Sequence, residues 1–217
     1  MRFVVTVLAA LALATAAFAA PDDTPFLAPP DAFQVAYAAN LTIGDSYINV
    51  TNAGTRGGYD AGDLFGRPFG GICVNAYFFD PNEELLSCCS CYVSPNGLHS
   101  FSLQKDFLAN LLTPGTENAG TVVLVASGDN TGSTCTNSAA LWATPEGGMR
   151  AWMTTLHNNT SVGPTAYQIT ENAFLPVTLS VSEVGKLRGV CGTNITNGSK
   201  HGICNSCPEQ GLSAGKM

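Results

Sequence analysis

The strongest constraint on how this chain can fold comes from eight cysteines that follow a leader for export. Met1 and Arg2 precede an apolar run, and Ala17-Phe18-Ala19 has the small-residue pattern of a cleavage site. We therefore predict that residues 1–19 are a signal peptide and that the mature chain is secreted, to the periplasm, the cell surface or the medium. Cysteines in such an oxidising environment pair as disulfides. The predicted disulfide-forming residues are Cys73, Cys88, Cys89, Cys91, Cys135, Cys191, Cys204 and Cys207.

The run Cys88-Cys89-Ser90-Cys91 lies on a predicted strand. Because side chains alternate along a strand, Cys89 and Cys91 share one face and Cys88 points to the other. One run can therefore link two layers of the structure. This strand is predicted to form a hairpin with the strand at residues 72–79. If the hairpin closes with a regular turn, Cys73 lies opposite Cys91, which predicts a disulfide between them. The remaining pairing is open, since eight cysteines allow about a hundred connectivities.

A second cysteine pair, Cys204-x-x-Cys207, has the spacing of a redox-active dithiol. The reactive thiolate of such a motif normally lies at the start of a helix, whereas Pro208 follows this pair directly, so a structural role is favoured. A zinc or iron site has suitable ligands here, but the paired CxxC knuckles of such sites are missing. We predict no metal and no cofactor. The ligands considered are Cys88, Cys89, Cys91, Cys204 and Cys207.

Short segments with alternating apolar residues, separated by turn residues, predict a mainly β fold. Ser94-Pro95-Asn96-Gly97 is the strongest of these turn signals. We predict one disulfide-stabilised, β-sandwich-like domain over residues 35–217, preceded by a proline-rich N-terminal arm at residues 20–34. The predicted strands cover residues 33–43, 46–52, 72–79, 85–93, 98–103, 121–127 and 166–179.

Two or three short helices are predicted in the connections. One begins with Thr144 as its N-cap, and a second begins at the capping box Ser180-x-x-Glu183 and stops at Gly192. A third lies around residues 105–112. The apolar residues of the first helix follow the spacing i, i+3, i+4, i+7: Met149, Trp152, Met153 and Leu156.

Composition excludes several classes of function. The nine Lys and Arg residues are scattered and the net charge is −7, which argues against nucleic acid as a partner. No apolar run after the leader is long enough to span a bilayer, so we predict no transmembrane segment after signal cleavage. His99, His157 and His201 are each isolated in sequence, and no catalytic motif surrounds them. We therefore predict that the protein is not an enzyme.

Five short motifs resemble those of uncharacterised exported bacterial proteins, and they cover most of the mature chain. The resemblance implies export from a bacterium and carries no activity, cofactor or active-site residue with it. The motifs are Asn40-Leu41-Thr42-Ile43-Gly44-Asp45-Ser46, Cys88-Cys89-Ser90-Cys91, Ser94-Pro95-Asn96-Gly97-Leu98, Thr154-Thr155-Leu156-His157 and Gly202-Ile203-Cys204-Asn205-Ser206-Cys207.

The leading functional hypothesis is a secreted structural or surface protein, such as a subunit of an extracellular filament or envelope layer. Only 12% of the residues are charged, and a nearly neutral surface suits self-assembly. The N-terminal arm could pair with a sheet edge of a neighbouring molecule, where Phe33, Val35 and Tyr37 would fill pockets. The same strand could instead pair within its own domain.

Two other classes of function stay open. A carbohydrate- or surface-binding module would use exposed aromatic side chains as platforms. A secreted hydrolase or thiol enzyme would gather His157 or His201 with a cysteine or a carboxylate in a cleft. The aromatic residues available for the first alternative are Trp142, Trp152, Tyr59, Tyr77 and Tyr92.

Overall fold

The computed structural model describes residues 24–55, 70–111, 115–128, 135, 144–158, 163, 166–205 and 207, which form two antiparallel β-sheets packed face to face. The strands are β1 (Phe33–Ala38), β2 (Ser46–Asn52), β3 (Ile72–Phe79), β4 (Leu85–Val93), β5 (Leu98–Ser102), β6 (Gly120–Gly128), β7 (Met149–Asn158), β8 (Tyr167–Ala173) and β9 (Leu175–Pro176). One sheet has the order β4-β3-β6-β1-β9 and the other the order β5-β2-β7-β8. The predicted β-sandwich is confirmed.

The core lies between the two sheets, where apolar side chains of both inner faces meet. Along β2 every second residue from Ser46 to Asn52 is buried, which is the alternation expected of a strand with one covered face. By contrast, β3 is buried from Ile72 to Phe78 because both of its faces are covered. The core residues include Ile48, Val74, Phe101, Leu124 and Met153.

A second apolar cluster lies on the outer face of the five-stranded sheet, next to helix α1 (Val181–Thr196). Val184 and Leu187 of the helix share this cluster with Tyr77 and Val125 of the sheet. The five-stranded sheet is therefore the middle layer of the described structure, between the second sheet and the helix.

The helix predicted from Thr144 onwards is wrong, because residues 149–158 form strand β7. Met149 and Met153 face the core, whereas Trp152 and Leu156 are only partly buried on the opposite face. Within each pair, Met149 with Met153 and Trp152 with Leu156, the spacing of four residues fits the two-residue alternation of a strand as well as a helix. β7 pairs with both β2 and β8, so the sheet satisfies its backbone groups on both sides and outweighs the local helical signal.

The other two helix predictions have different outcomes. Ser180 is the N-cap of α1 and its hydroxyl accepts from the Glu183 amide, which confirms the capping box. The helix continues through Gly192 to Thr196, beyond the predicted end. In place of the third helix, the described residues of the segment form a single π-helical turn, Leu103–Phe107, and residue 112 lies outside the described residues.

The predicted disulfide between Cys73 and Cys91 is wrong by one residue of strand register. The hairpin of β3 and β4 contains a bulge next to Phe78, which shifts the pairing so that Cys73 lies opposite Tyr92. A shift of one residue moves a side chain to the other face of a strand. Cys73 therefore faces away from Cys91 and bonds to Cys135 instead.

Two predicted strands end earlier than expected. The strand predicted over residues 33–43 ends at Ala38, because Asn40 adopts a left-handed conformation (φ 61°) and its carbonyl accepts from the Gly44 amide. The strand predicted over residues 166–179 is interrupted at Phe174. The side chain of Phe174 is buried in the core and its amide donates to the Ala151 carbonyl, so the chain breaks into β8 and β9.

The described part of the N-terminal arm packs against its own domain. The Phe26 amide donates to the Leu179 carbonyl, and the Phe26 ring meets Phe33 edge-on at 6.0 Å between ring centroids. β1 then pairs with β6 on one side and β9 on the other. Within the described residues the arm and β1 thus follow the intramolecular alternative.

Candidate functional site

Three of the four sheet edges in the described structure are short or partly covered. The edge of β4 is covered at Cys88, which exchanges backbone hydrogen bonds with Gly202 and Cys204. β9 consists of two residues and ends in Pro176, which cannot donate to a further strand. At the edge strand β5, the Ser102 amide donates to the Asp106 carboxylate at 2.6 Å. Such features discourage edge-to-edge pairing.

The fourth edge, strand β8, has no such protection within the described chain. All seven residues of β8 are exposed, on both faces, so the strand extends beyond the area that the opposite sheet covers. Tyr167 and Ile169 are 45% and 63% exposed, and Glu171 is the one charged residue of the strand. On its inner side β8 is held by the β7 ladder and by a contact between Thr170 Oγ1 and His157 Nε2 at 2.9 Å.

A row of hydrogen-bonded side chains crosses the outer face of the four-stranded sheet. Ser100 Oγ donates to Asn49 Oδ1 at 2.7 Å, and Asn49 Nδ2 donates to Thr154 Oγ1 at 3.0 Å. Thr154 Oγ1 in turn donates to Glu171 Oε1 at 3.1 Å. Each strand of the sheet supplies one member, so the row holds the side chains of this face, including that of β8, in a fixed arrangement.

Two aromatic side chains flank this polar row. Trp152 lies opposite Asn49 and Tyr47 opposite Thr154 in the pairing of β2 with β7, and both are partly exposed. Burial and the adjacent Asp45 carboxylate raise the pKa of Tyr47, which keeps its hydroxyl protonated at neutral pH. The outer face therefore combines aromatic surface with hydroxyl, amide and carboxylate groups that form hydrogen bonds.

The other aromatic candidates have different positions. Tyr77 is fully buried beside α1, and Tyr92 lies with its hydroxyl inside the structure. Trp142 and Tyr59 lie outside the described residues. Of the three predicted platforms that the structure describes, Trp152 is the one placed on an accessible sheet face. Tyr47 was missed because its alternation was interpreted only as a strand signal.

All eight cysteines belong to the described residues and form four disulfides. The pairs are Cys73–Cys135, Cys88–Cys191, Cys89–Cys204 and Cys91–Cys207. Cys204 and Cys207 are therefore bonded to β4 and not to each other. Cys88 ties α1 to one face of β4, while its neighbours Cys89 and Cys91 tie the segment 202–207 to the other face, as the alternation predicted.

His99 lies against the last of these disulfides. Its Nε2 atom is 3.4 Å from Cys207 Sγ, and its ring packs edge-on against Phe101 at 4.5 Å. The ligand atoms of Cys91, His99 and Cys207 all lie within 4.8 Å of one another. Burial lowers the pKa of His99, against the opposing effect of the Asp106 carboxylate, so the imidazole is neutral at pH 7.

The sequence hypothesis for a catalytic cleft involved two other histidines. His157 is engaged by Asn40 at Nδ1 and by Thr170 at Nε2, and His201 is exposed. Sequence reasoning missed His99 because 108 residues separate it from Cys207. The one local signal for the partial burial of His99 was its position two residues before Phe101, which places both side chains on the same face of β5.

Comparison with known proteins leaves these features to be interpreted from their geometry. No protein-family model, curated protein or solved structure matches this chain. Among the helices in the described part of the chain, none has the length and apolar character that crossing a membrane requires.

Proposed function

We propose that this chain is an exported, non-enzymatic structural subunit that associates with a second copy of itself through strand β8. The observation that carries the proposal is the contrast between β8 and the other described edges. Within the part of the chain that the structure describes, this seven-residue strand has both faces exposed, one charge and a ladder on one side only. An edge of this kind is the usual template for adding a strand from another chain.

The second copy is the partner that best matches the chemistry of this edge. Two β8 strands related by a two-fold axis meet antiparallel, and each contributes the same surface to the contact. Such pairing joins the two four-stranded sheets into one continuous sheet. The low charge of the edge itself favours the association, because Glu171 is the one charged residue on each β8 strand. Filaments or layers would then need one further contact between these dimers.

Pairing through β8 replaces exchange of the N-terminal arm as the mechanism of assembly. Ala32 and Phe33 are buried, and β1 lies between two neighbouring strands of its own sheet. Removing β1 to donate it to another molecule would expose this apolar surface and break both ladders. Association through β8 needs no such rearrangement.

The test compares Ile169→Lys with Leu98→Lys by light scattering and negative-stain electron microscopy of the mature, oxidised protein. Ile169 and Leu98 are 63% and 54% exposed and lie on opposite edges of the same sheet, so both variants should fold. We expect the wild type to be dimeric or larger. Ile169→Lys should weaken association at least about tenfold, since a lysine on an edge strand blocks strand addition.

The matched substitution Leu98→Lys should leave association unchanged. Leu27→Lys serves as a second control, because Leu27 is 93% exposed on the N-terminal arm. A wild-type protein that is monomeric at high concentration contradicts the proposal. Equal effects of Ile169→Lys and Leu98→Lys would show that β8 is not the contact. A specific effect of Leu27→Lys would indicate that the N-terminal arm mediates association.

A second candidate function, binding of a neutral polysaccharide, is favoured by the outer face of the four-stranded sheet. Trp152 and Tyr47 offer aromatic surface beside the row of Asn49 and Thr154, which suits the apolar faces and hydroxyl groups of sugars. We expect Trp152→Ala to weaken binding to insoluble polysaccharide about tenfold in a pull-down assay. Tyr37→Ala is the control, because Tyr37 is 68% exposed on the other sheet. Equal binding by both variants contradicts this function.

A further inference from the structure

We propose that Cys91, Cys207 and His99 form a Zn²⁺ site that is an alternative to the Cys91–Cys207 disulfide. The three ligand atoms already lie within 4.8 Å of one another, a spacing that one metal ion can bridge. Two thiolates and an imidazole are the ligands that zinc prefers, and three protein ligands leave a fourth position for water. The sequence analysis expected no metal because the paired CxxC knuckles of zinc sites are missing, and it did not consider His99 as a ligand.

The conversion between the two states is a two-electron reduction followed by metal binding. A dithiol reductant gives two electrons and two protons to the Cys91–Cys207 bond, the S–S bond breaks, and the reductant becomes a disulfide. The two new thiols release their protons to solvent when Zn²⁺ binds. The ion thereby gains two Zn–S bonds and one Zn–N bond to His99 Nε2.

The ligands stay close together after reduction because other contacts hold both sides of the site. The Cys89–Cys204 disulfide joins the same two chain segments only a few residues away. The Cys204 amide donates to the Cys88 carbonyl, and the Asn205 amide donates to the Asp106 carbonyl. Opening Cys91–Cys207 therefore releases a small ring, while the segment that carries Cys207 remains against β4.

His99 is held independently of the disulfide. It pairs with Val50 in the ladder of β5 and β2, and its ring rests on Phe101, which is fully buried. The imidazole therefore keeps its position when the sulfur atoms separate. Among the described histidines, His99 is the one for which such a cysteine pair is within reach.

The test begins with the order in which the thiols appear. The mature protein is treated with limiting dithiothreitol, alkylated with iodoacetamide and mapped by mass spectrometry. We expect Cys91 and Cys207 to be labelled first, because His99 Nε2 lies 3.4 Å from Cys207 Sγ and can donate a hydrogen bond to the thiolate that leaves when the bond is attacked. Zn²⁺ added before the alkylating agent should protect both residues. Early labelling of another pair, or labelling that Zn²⁺ does not change, overturns the proposal.

Cobalt then reports the ligands directly. We expect the protein reduced only at Cys91–Cys207 to bind about one Co²⁺ per chain, with a thiolate-to-metal charge-transfer band, and Zn²⁺ to displace it. His99→Gln should weaken Co²⁺ binding at least about tenfold. His201 lies in the segment that carries Cys207 but is exposed, so His201→Gln should bind Co²⁺ as the wild type does. The double variant Cys91→Ser, Cys207→Ser should lose the band. Equal binding by the two histidine variants, or a band retained without these cysteines, overturns the site.

Discussion

Replacing Cys73 and Cys135 together by alanine is expected to lower the free energy of unfolding by about 4 kcal/mol. The two residues are 62 positions apart, and no other disulfide shortens the ring that they close. The loss arises mainly because the unfolded chain gains the freedom that the ring removes. Urea unfolding of the oxidised protein at pH 7, compared with the wild type, measures the difference.

Replacing the two cysteines of each other disulfide by alanine, and measuring urea unfolding in the same way, provides the control. Cys88–Cys191 spans 103 residues, but the adjacent Cys89–Cys204 bond reduces its additional ring to roughly 15 residues, which is equivalent to about 3 kcal/mol. With Cys89–Cys204 intact, Cys91–Cys207 closes a ring of only about five residues, which corresponds to about 2 kcal/mol. A loss that followed sequence separation alone, and was largest for Cys91–Cys207, would contradict this explanation.

Phe107→Ala is expected to cost about 3–5 kcal/mol of unfolding free energy. Phe107 lies at the end of the π-helical turn with its side chain fully buried between the two sheets. Its ring centroid is 6.2 Å from that of Phe78 in one sheet and 5.8 Å from that of Phe101 in the other. Alanine would leave a cavity between sheets that cannot both move to fill it.

Thermal and urea unfolding measure this effect, with Phe107→Leu and Leu27→Ala as controls. Leucine refills most of the volume and should cost about 1 kcal/mol. Leu27 is 93% exposed, so its truncation should change stability by less than about 0.5 kcal/mol. If Phe107→Ala were as mild as Phe107→Leu, the turn would not be part of the core that joins the sheets.

Several elements were predictable because their causes are local. β2, β3 and β4 have the predicted bounds, since alternating side chains and turn residues mark both ends of each strand. The start of α1 at Ser180 was predictable for the same reason, because a capping box lies within one turn of the chain. Each of these signals depends on residues only a few positions apart.

The conformation of β7 and the pairing of the cysteines could not be decided from neighbouring residues in the sequence. Met149 and Met153 fit a helix and a strand equally well, and the choice depended on the two strands that pair with β7. The partner of Cys73 depended on a bulge next to Phe78 that local turn signals did not reveal. The exposure of β8 depended on the extent of the opposite sheet, which is a property of the packed structure.

The sequence by itself determined that this is a mainly β, disulfide-rich chain, because alternation and cysteine content act on every short segment. It also determined that Cys88 and its neighbour Cys89 would serve opposite faces of one strand. Only the tertiary structure decided which cysteines meet, that His99 joins Cys91 and Cys207, and that β8 is left uncovered. Such contacts join residues far apart in sequence, and the packing of whole sheets, which selects among them, has no signature in any single segment.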